Sequence, residues 1–262
     1  MLNLENKSYL VTGIANKKSV AYFIAKNLEQ AGAKLILTAQ TEEHQKKIQK
    51  LFTDSPVLIL DVENKDHIHD LKNSISQHCN ELQGLVHSIA FANFTTPDFL
   101  ATPREDFLQA TQISAFSFVE ISNALRDIFS DDASLLTISI SNTKATSYGY
   151  LGPIKAMLNS LSGYMAKSFS EFSNIRVNTI AAGPLKTSAS AGIPDYLDNY
   201  LFAEALTLRK KALETNEVAK TALYLLSDLS SGLNGQTITL DAGMNLNYFD
   251  QDVVKTYTKA KF

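Results

Sequence analysis

The chain has 262 residues, 45% of them hydrophobic, which is enough apolar material for one substantial core. Its formal net charge of -3 favours neither nucleic acid nor membrane insertion. The single cysteine, Cys79, excludes an internal disulfide framework and cysteine-based metal clusters, and we predict no metal site. The first residues lack the basic-then-apolar order of a signal peptide, and no apolar run reaches transmembrane length. We therefore expect a soluble cytoplasmic protein.

Short β-rich segments alternate with longer segments of helical periodicity. The predicted strands are Tyr9–Thr12, Lys34–Thr38, Val57–Leu60, Leu85–Ser88, Leu135–Ser139, Arg176–Ile180 and Thr237–Leu240. Several lack polar-apolar alternation, which is typical of strands that helices cover on both faces. Apolar residues at spacings of three and four predict a helix between Ser19 and Ala31. We predict an α/β fold, a single-domain Rossmann-like, doubly wound parallel sheet of seven strands flanked by helices.

No internal repeat or linker divides the chain, so we predict one domain over residues 1–262. The least regular segment runs from Ser188 to Ala212 and contains Gly192 and Pro194. A long segment after the carboxyl end of a strand lies over the ligand crevice in open α/β folds. We therefore predict a substrate-binding lid at about 188–212.

The turn after the first strand is the place where a dinucleotide pyrophosphate binds in such a sheet, because a helix N-terminus offers free N–H groups there. Only one glycine, Gly13, is present, so this turn matches the usual glycine-rich pattern weakly and could be a simple connection. Ser19 could cap the following helix or donate to a phosphate.

The ends of the next three strands supply further candidates for a cofactor site. Neutral or acidic residues follow Gln40 at the second strand, which favours NAD(H) over NADP(H), although Lys46 and Lys47 could fold back. Asp61, after the third strand, could accept a hydrogen bond from an adenine amino group or simply form a turn. Small residues in Ser88–Ala92 would let a cofactor lie close to the backbone.

The stretch SYGYLGPIK, residues 147–155, places two tyrosines near one lysine. Tyr148 and Lys155 are seven residues apart, close to two helical turns, whereas Tyr150 would be rotated by about 140° from Lys155. Because proline is tolerated only in the first turn of a helix, Pro153 predicts that the helix begins near Tyr150. A phenol and an ammonium group suit carbonyl chemistry, in which the phenol donates to an oxygen that gains negative charge and the ammonium lowers the pKa of the phenol.

Taken together, these motifs resemble the enoyl-acyl-carrier-protein reductases, a divergent branch of the short-chain dehydrogenase/reductase superfamily. The matching stretches are VTGIANKKSVAYFIA, the pair DV at 61–62, HSIAFA at 87–92, ISAFSF at 113–118, the Tyr148-x6-Lys155 pair, VNTIAAGPLKTSASAGI at 177–193 and LNGQTITLDAG at 233–243. This branch uses a single-glycine GxxxxxSxA turn, which Gly13, Ser19 and Ala21 match.

The resemblance implies NADH-dependent reduction of a trans-2-enoyl thioester carried by acyl carrier protein, by a homotetramer of the fatty acid elongation cycle. Tyr148 would stabilise the enolate and Lys155 would hold the nicotinamide ribose. Ala92 would lie at the acyl substrate. By the same analogy the cofactor would contact Gly13, Ser19, Val20, Gln40, Asp61, Val62, Ser88, Ile89, Ala90, Lys155, Leu185, Thr187, Ser188 and Ala189.

The chain also departs from the pattern of this branch. Ile140 stands where bacterial members carry a second tyrosine, and Pro153 replaces an ordinary helix residue. The tract from residue 140 to Tyr148 is about two residues shorter than in the family. These departures keep two alternatives open, namely a reductase of another enone or carbonyl compound and a catalytically silent NAD(H)-binding protein.

Overall fold

The computed structural model describes residues 2–94, 98–187, 190 and 196–261 of the chain. Its strands are β1 Ser8–Val11, β2 Lys34–Ala39, β3 Val57–Ile59, β4 Leu82–His87, β5 Phe129–Ile140, β6 Arg176–Ala182 and β7 Thr237–Leu240. Its α-helices are α1 Val20–Gln30, α2 Glu42–Gln49, α3 Lys65–Ser76, α4 Arg104–Thr111, α5 Ser117–Ala124, α6 Leu151–Phe169, α7 Tyr196–Leu206, α8 Thr215–Leu226 and α9 Gln251–Lys261. Each predicted strand is confirmed, and β5 is longer than expected.

The seven strands form one parallel sheet in the order β3-β2-β1-β4-β5-β6-β7. The chain first winds outward from β1 to β3 and then returns to place β4 on the other side of β1. Helices therefore leave β1 and β4 on opposite faces, and a crevice opens at the carboxyl ends of these two strands. The predicted doubly wound, Rossmann-like fold is confirmed.

A hydrophobic core covers each face of the sheet. Helices α3, α5 and α6 cover one face, where Phe118 and Leu158 are fully buried. Helices α1 and α8 cover the other face, with Ile24 and Ala222 at its centre. Because both faces are covered, the strands need no polar side, which explains their continuous apolar sequence. The apolar stripe that follows Lys155 contributes to the first of these cores.

Helix α7 occupies most of the described part of the segment that we expected to be irregular. It buries Tyr200, Ala203 and Leu206 but leaves Leu197 and Phe202 exposed. With apolar residues on both sides, the segment lacks the one-sided stripe from which helices are predicted. Among the described residues, no helix is long and apolar enough to cross a membrane.

Candidate active site

The carboxyl ends of the central strands border a cleft of about 530 Å³. Its volume lies in the range of small-molecule sites, about 300–1,000 Å³. The structure brings most predicted cofactor-binding residues to this one cleft, which is lined by Gly13, Ser19, Val20, Gln40, Asp61, Val62, Ser88, Ile89, Ala90, Lys155 and Thr187. Leu185 is buried behind this lining, and Ser188 and Ala189 lie outside the described residues.

Gly13, in the turn after β1, lies against the end of β4, and these two strands flank the crevice. Its φ of +87° lies in the left-handed region, and a Cβ atom there would come within 2.1 Å of the Ser88 carbonyl oxygen. No other residue type can take this conformation in that space, because a side chain would collide with backbone. The turn after β1 therefore lies directly against the end of β4, and one glycine suffices for the close approach.

Ser19 stands at the N-cap position of α1, as predicted, but its side chain does not cap the helix. Its hydroxyl donates to the Asn16 carbonyl at 2.6 Å, which fixes the turn that precedes the helix. Asp61 forms the turn that we considered, since its Oδ1 accepts from the Glu63 N–H at 3.2 Å. It also lines the cleft, so both readings of this residue remain compatible with its position.

The end of β2 carries little positive charge toward the cleft. Gln40 and His44 line this end of the cleft, and the acidic residues Glu42 and Glu43 open α2. Lys47, which could have folded back, pairs instead with Glu43 at 2.6 Å along the helix. Among the described residues of the lining, Lys155 is the only lysine or arginine.

Lys155 is 4% exposed and lies where α6 passes β5. Its ammonium group donates to the Ile138 carbonyl at 2.9 Å, near the carboxyl end of that strand. Burial lowers the pKa of Lys155 to about 8, so the cation is held at the cleft with few polar neighbours. A cation of this kind suits a ligand hydroxyl or phosphate.

Tyr148 closes a short 3-10 turn, Thr146–Tyr148, just before α6, as the position of Pro153 predicted. Burial, and secondly the neighbouring Tyr196, raise the pKa of Tyr148 to about 12. The expectation that Lys155 lowers this pKa is wrong, because the Lys155 ammonium is directed at Ile138 and is not among the groups that shift it. Tyr148 is therefore a phenol that keeps its proton at neutral pH and is able to donate a hydrogen bond.

Tyr150 has a different environment from Tyr148. Its hydroxyl accepts from the Asn93 N–H at 2.6 Å and donates to the Asn93 carbonyl at 2.8 Å. Both of these bonds are made to backbone, so Tyr150 has a structural partner, whereas no described residue hydrogen-bonds to the Tyr148 hydroxyl. Tyr150 thus has a structural role, and the choice of Tyr148 as the tyrosine for chemistry stays a prediction. Ala92, the predicted substrate residue, packs against the same core cluster as Tyr148 and is not part of the cleft lining.

A buried histidine supports the wall of the cleft. His87, at the end of β4, has no exposed surface, and its Nδ1 and Nε2 lie 2.9 Å from the hydroxyls of Thr137 and Ser117. Ser117 in turn donates to the Ile113 carbonyl at 2.7 Å, so it accepts from His87 Nε2–H. Burial lowers the pKa of His87 to about 3, which keeps the ring neutral. Ile113 lies in a π-helical turn, Gln112–Phe116, and lines the cleft.

Sequence reasoning missed several residues of the cleft. Ile138, Ser139 and Ile140 line it because β5 ends at the same sheet edge as β1 and β4, a rule that could have identified them. Ile113 had no such signal, since nothing in the sequence announces a π-helical turn. The described residues contain no cluster of metal-binding side chains.

Comparison with known proteins places the chain in a family. A family model described as enoyl-(acyl carrier protein) reductase matches residues 13–245. The NADH enzyme of that name from a Nostoc species is 37% identical over 94% of this chain and 99% of its own length. The NADPH enzyme of Staphylococcus aureus is 35% identical over the same shares.

Solved structures agree with the sequence matches. The enoyl-acyl carrier protein reductase of Bacillus cereus, solved with NADP+ and an indole naphthyridinone, superposes with a TM-score of 0.89 at 32% identity, covering 94% of this chain and 99% of that one. FabI of Candidatus Liberibacter asiaticus gives 0.90 at 30% identity, with 95% and 99% covered. The resemblance inferred from the motifs is confirmed, and this chain belongs to the enoyl-acyl-carrier-protein reductase family.

Proposed function

We propose that this protein is an NADH-dependent enoyl-acyl-carrier-protein reductase, which reduces the carbon-carbon double bond of trans-2-enoyl thioesters in fatty acid elongation. One observation carries the proposal. A single cleft is lined both by the glycine turn after β1 and by the buried cation of Lys155, and Tyr148 stands just before α6, the helix that carries Lys155. This arrangement combines a dinucleotide-type site with a phenol donor.

The residues of the cleft fit a nicotinamide dinucleotide. The turn at Gly13 and the N-terminus of α1 would receive the pyrophosphate, and Gln40 and Asp61 would lie at the adenosine end. Ile89, Lys155 and Thr187 would line the nicotinamide end. When bound, NADH supplies the hydride. The neutral and acidic residues after β2 support NADH over NADPH, since a 2′-phosphate needs a nearby cation.

Tyr148 and Lys155 would have different roles in the reaction. As a neutral phenol, Tyr148 donates a hydrogen bond to the thioester oxygen, which gains negative charge when the double bond is reduced. Lys155, fixed by the Ile138 carbonyl, holds hydroxyl groups of the ribose. A phenol with a raised pKa keeps its proton at neutral pH, so it stabilises the enolate as a donor and does not act as a phenolate.

Several finer features belong to the same proposal. Residues 188–212 would form the substrate lid, and the described part of this segment, with α7, follows β6 at the cleft end of the sheet. Acyl carrier protein would deliver the substrate, and the family resemblance favours a homotetramer in the cytoplasm. Light scattering on the purified protein tests the tetramer directly.

Turnover of NADH with enoyl thioesters tests the function. Purified protein is mixed with NADH and crotonyl or longer enoyl thioesters, on acyl carrier protein and on coenzyme A, and the loss of nicotinamide absorbance is followed. We expect turnover with enoyl substrates and none with saturated ones. Saturable NADH binding without turnover across all chain lengths would contradict the proposal and favour a silent NAD(H)-binding protein.

A further inference from the structure

Two hydroxyl groups hold the backbone just beyond the end of β4. The Ser114 hydroxyl accepts from the N–H of Phe91 and donates to its carbonyl, both at 2.8 Å. The Tyr150 hydroxyl makes the same pair of bonds with Asn93, at 2.6 and 2.8 Å. Each hydroxyl therefore satisfies both polar backbone groups of one residue.

These two hydroxyls make the backbone hydrogen bonds that a neighbouring strand would otherwise make. β4 is paired in the sheet only as far as His87, so the residues after it have no strand partner. A hydroxyl offers one donor and at least one acceptor, which are the two functions that a paired strand would supply. The held residues are two apart, which is the spacing of partners along a strand edge. Ser114 and Tyr150 thus extend the order of β4 beyond the sheet.

The Tyr150 hydroxyl is held firmly in place. Tyr150 is 4% exposed, and its ring lies 6.0 Å from the ring of Phe94 and 6.1 Å from that of Phe107. Gly149, with a φ of +62°, separates Tyr150 from Tyr148, and a Cβ atom there would lie 3.4 Å from the Phe94 ring. The start of α6 and the segment after β4 are therefore packed as one unit.

We call each hydroxyl that holds both backbone groups of one residue a clamp. The residues held by the two clamps, Phe91 and Asn93, lie on either side of Ala92. Phe91 lines the cofactor cleft, whereas Ala92 is not part of its lining and packs against the same core cluster as Tyr148. The Ser114 clamp therefore acts on the cofactor side, and the Tyr150 clamp acts on the side of the phenol. Tyr150 is not itself a residue of the cleft lining, and its hydroxyl bonds to Asn93 and not to Lys155.

We propose that Tyr150 is a positioning residue for the thioester, because its two bonds to Asn93 fix the neighbouring Ala92 near the N-terminal end of α6, where Tyr148 lies. The inference rests on the proposed function, because it assigns Ala92 to the acyl substrate. It goes beyond that function because it gives Tyr150 a role separate from that of Tyr148. Tyr150 would affect the affinity for the substrate and not the donation of a proton.

The test replaces Tyr150 by phenylalanine in the full chain. This removes one oxygen atom and keeps the ring between its aromatic neighbours. We expect the KM for the enoyl thioester to rise about tenfold, which is the loss of about 1.4 kcal/mol that one to two hydrogen bonds represent. We expect kcat and the affinity for NADH, measured by fluorescence titration, to stay within about twofold.

Two further variants complete the design. Tyr164→Phe removes a hydroxyl from the same helix at a residue that is 74% exposed, and should change neither constant. Ser114→Ala should weaken NADH binding more than thioester binding. A Tyr150→Phe enzyme with an unchanged KM for the thioester, or with NADH affinity lost in parallel, would overturn the inference.

Amide hydrogen exchange separates this inference from the proposed function. The Asn93 N–H donates to Tyr150, so the peptide spanning residues 91–94 should exchange faster in Tyr150→Phe than in the wild type and Tyr164→Phe. This comparison needs no turnover. Unchanged exchange overturns the clamp, whereas a wild type that binds NADH but reduces no enoyl thioester overturns the proposed function.

Discussion

The two sides of the cleft are built from different kinds of contact. On the side of β1 the close approach comes from backbone alone, with Gly13 against the Ser88 carbonyl. On the side of α5 and α6 the backbone at the cleft and just beyond it is positioned by side chains, through the hydroxyls of Ser114, Ser117 and Tyr150. One side thus depends on the absence of a side chain and the other on the exact placement of several.

The difference has a consequence for how each side tolerates change. A backbone contact at 2.1 Å from a would-be Cβ cannot adjust, so any substitution at Gly13 moves a whole turn. Hydroxyl contacts can be lost one at a time, each at the cost of one or two hydrogen bonds. The side of the cleft that we assign to the substrate can therefore vary gradually, while the phosphate turn cannot.

The largest effect is expected from breaking the backbone side. Gly13→Ala combines left-handed strain of about 1–3 kcal/mol with overpacking of about 1–3 kcal/mol, and should abolish measurable NADH binding. Fluorescence titration and thermal unfolding measure both losses. Gly163→Ala is the matched control, because nothing lies within 4 Å of its Cβ position in α6, and it should raise stability by about 0.5–1 kcal/mol. Equal NADH affinity and equal thermal stability of the two variants would show that the phosphate turn tolerates a side chain at Gly13, against the proposed difference between the two sides.

The next effect concerns the phenol of Tyr148, in the turn that precedes α6. Tyr148→Phe removes the proposed donor to the developing enolate and should lower kcat by about 10²–10³, with NADH affinity unchanged. Steady-state kinetics with an enoyl thioester give the first number and titration gives the second. If Tyr148→Phe retained the wild-type kcat while Tyr150→Phe lost it, the roles of the two tyrosines would be reversed.

The next prediction concerns the side of the cleft that hydroxyl groups position. Its stability can be lowered by removing the hydroxyl of Ser117, which holds the buried His87. Ser117→Ala leaves Nε2 of His87 without a partner, while Nδ1 keeps Thr137, and it removes the side-chain bond to the Ile113 carbonyl, which should destabilise folding by about 1–3 kcal/mol. Ser122→Ala, on the same helix, removes a buried hydroxyl that has no hydrogen-bond partner and should stay within about 0.5 kcal/mol. Denaturant unfolding compares the two, and equal losses would show that the network adds no stability.

The smallest effect is a dependence on pH. Lys155 is cationic below its pKa of about 8 and neutral above it, so the KM for NADH should rise as pH increases through 8. For one titrating group the protonated fraction falls about tenfold between pH 7 and 9. Tyr148, with a pKa of about 12, keeps its proton throughout this range. In Lys155→Arg, whose cation does not titrate, the rise should disappear even if overall activity is lower.

The fold followed from the sequence because its signals are repeated along the chain. Seven apolar segments separated by helical periods define a parallel sheet, and the strand ends then identify Gly13, Asp61 and Ser88 as neighbours. The placement of the α6 start followed from Pro153 alone, since its missing N–H restricts it to the first turn.

The remaining details depend on contacts between distant residues. The partner of Tyr150 is Asn93, 57 positions away, and no local pattern links them. The pKa of Tyr148 could not be derived either, because it is set by burial and by Tyr196, 48 positions away, and not by the lysine inferred from spacing. Helix α7 was missed since its apolar residues surround the helix axis.

Helix α7 is attached to the rest of the fold by hydrogen bonds at both of its ends. At its C-terminal end, Asn247 donates to the Leu206 carbonyl at 2.9 Å and Lys210 donates to that of Ala205 at 2.9 Å. At its first residue, the Tyr196 hydroxyl exchanges two bonds of 2.8 Å with the backbone of Leu185. Eleven residues of α-helix span about 16 Å, so these two sets of hydrogen bonds hold α7 at points that are far apart. The phenol that holds its first residue is also close enough to Tyr148 to help raise the pKa of that residue, so the position of α7 and the protonation of Tyr148 depend on the same side chain.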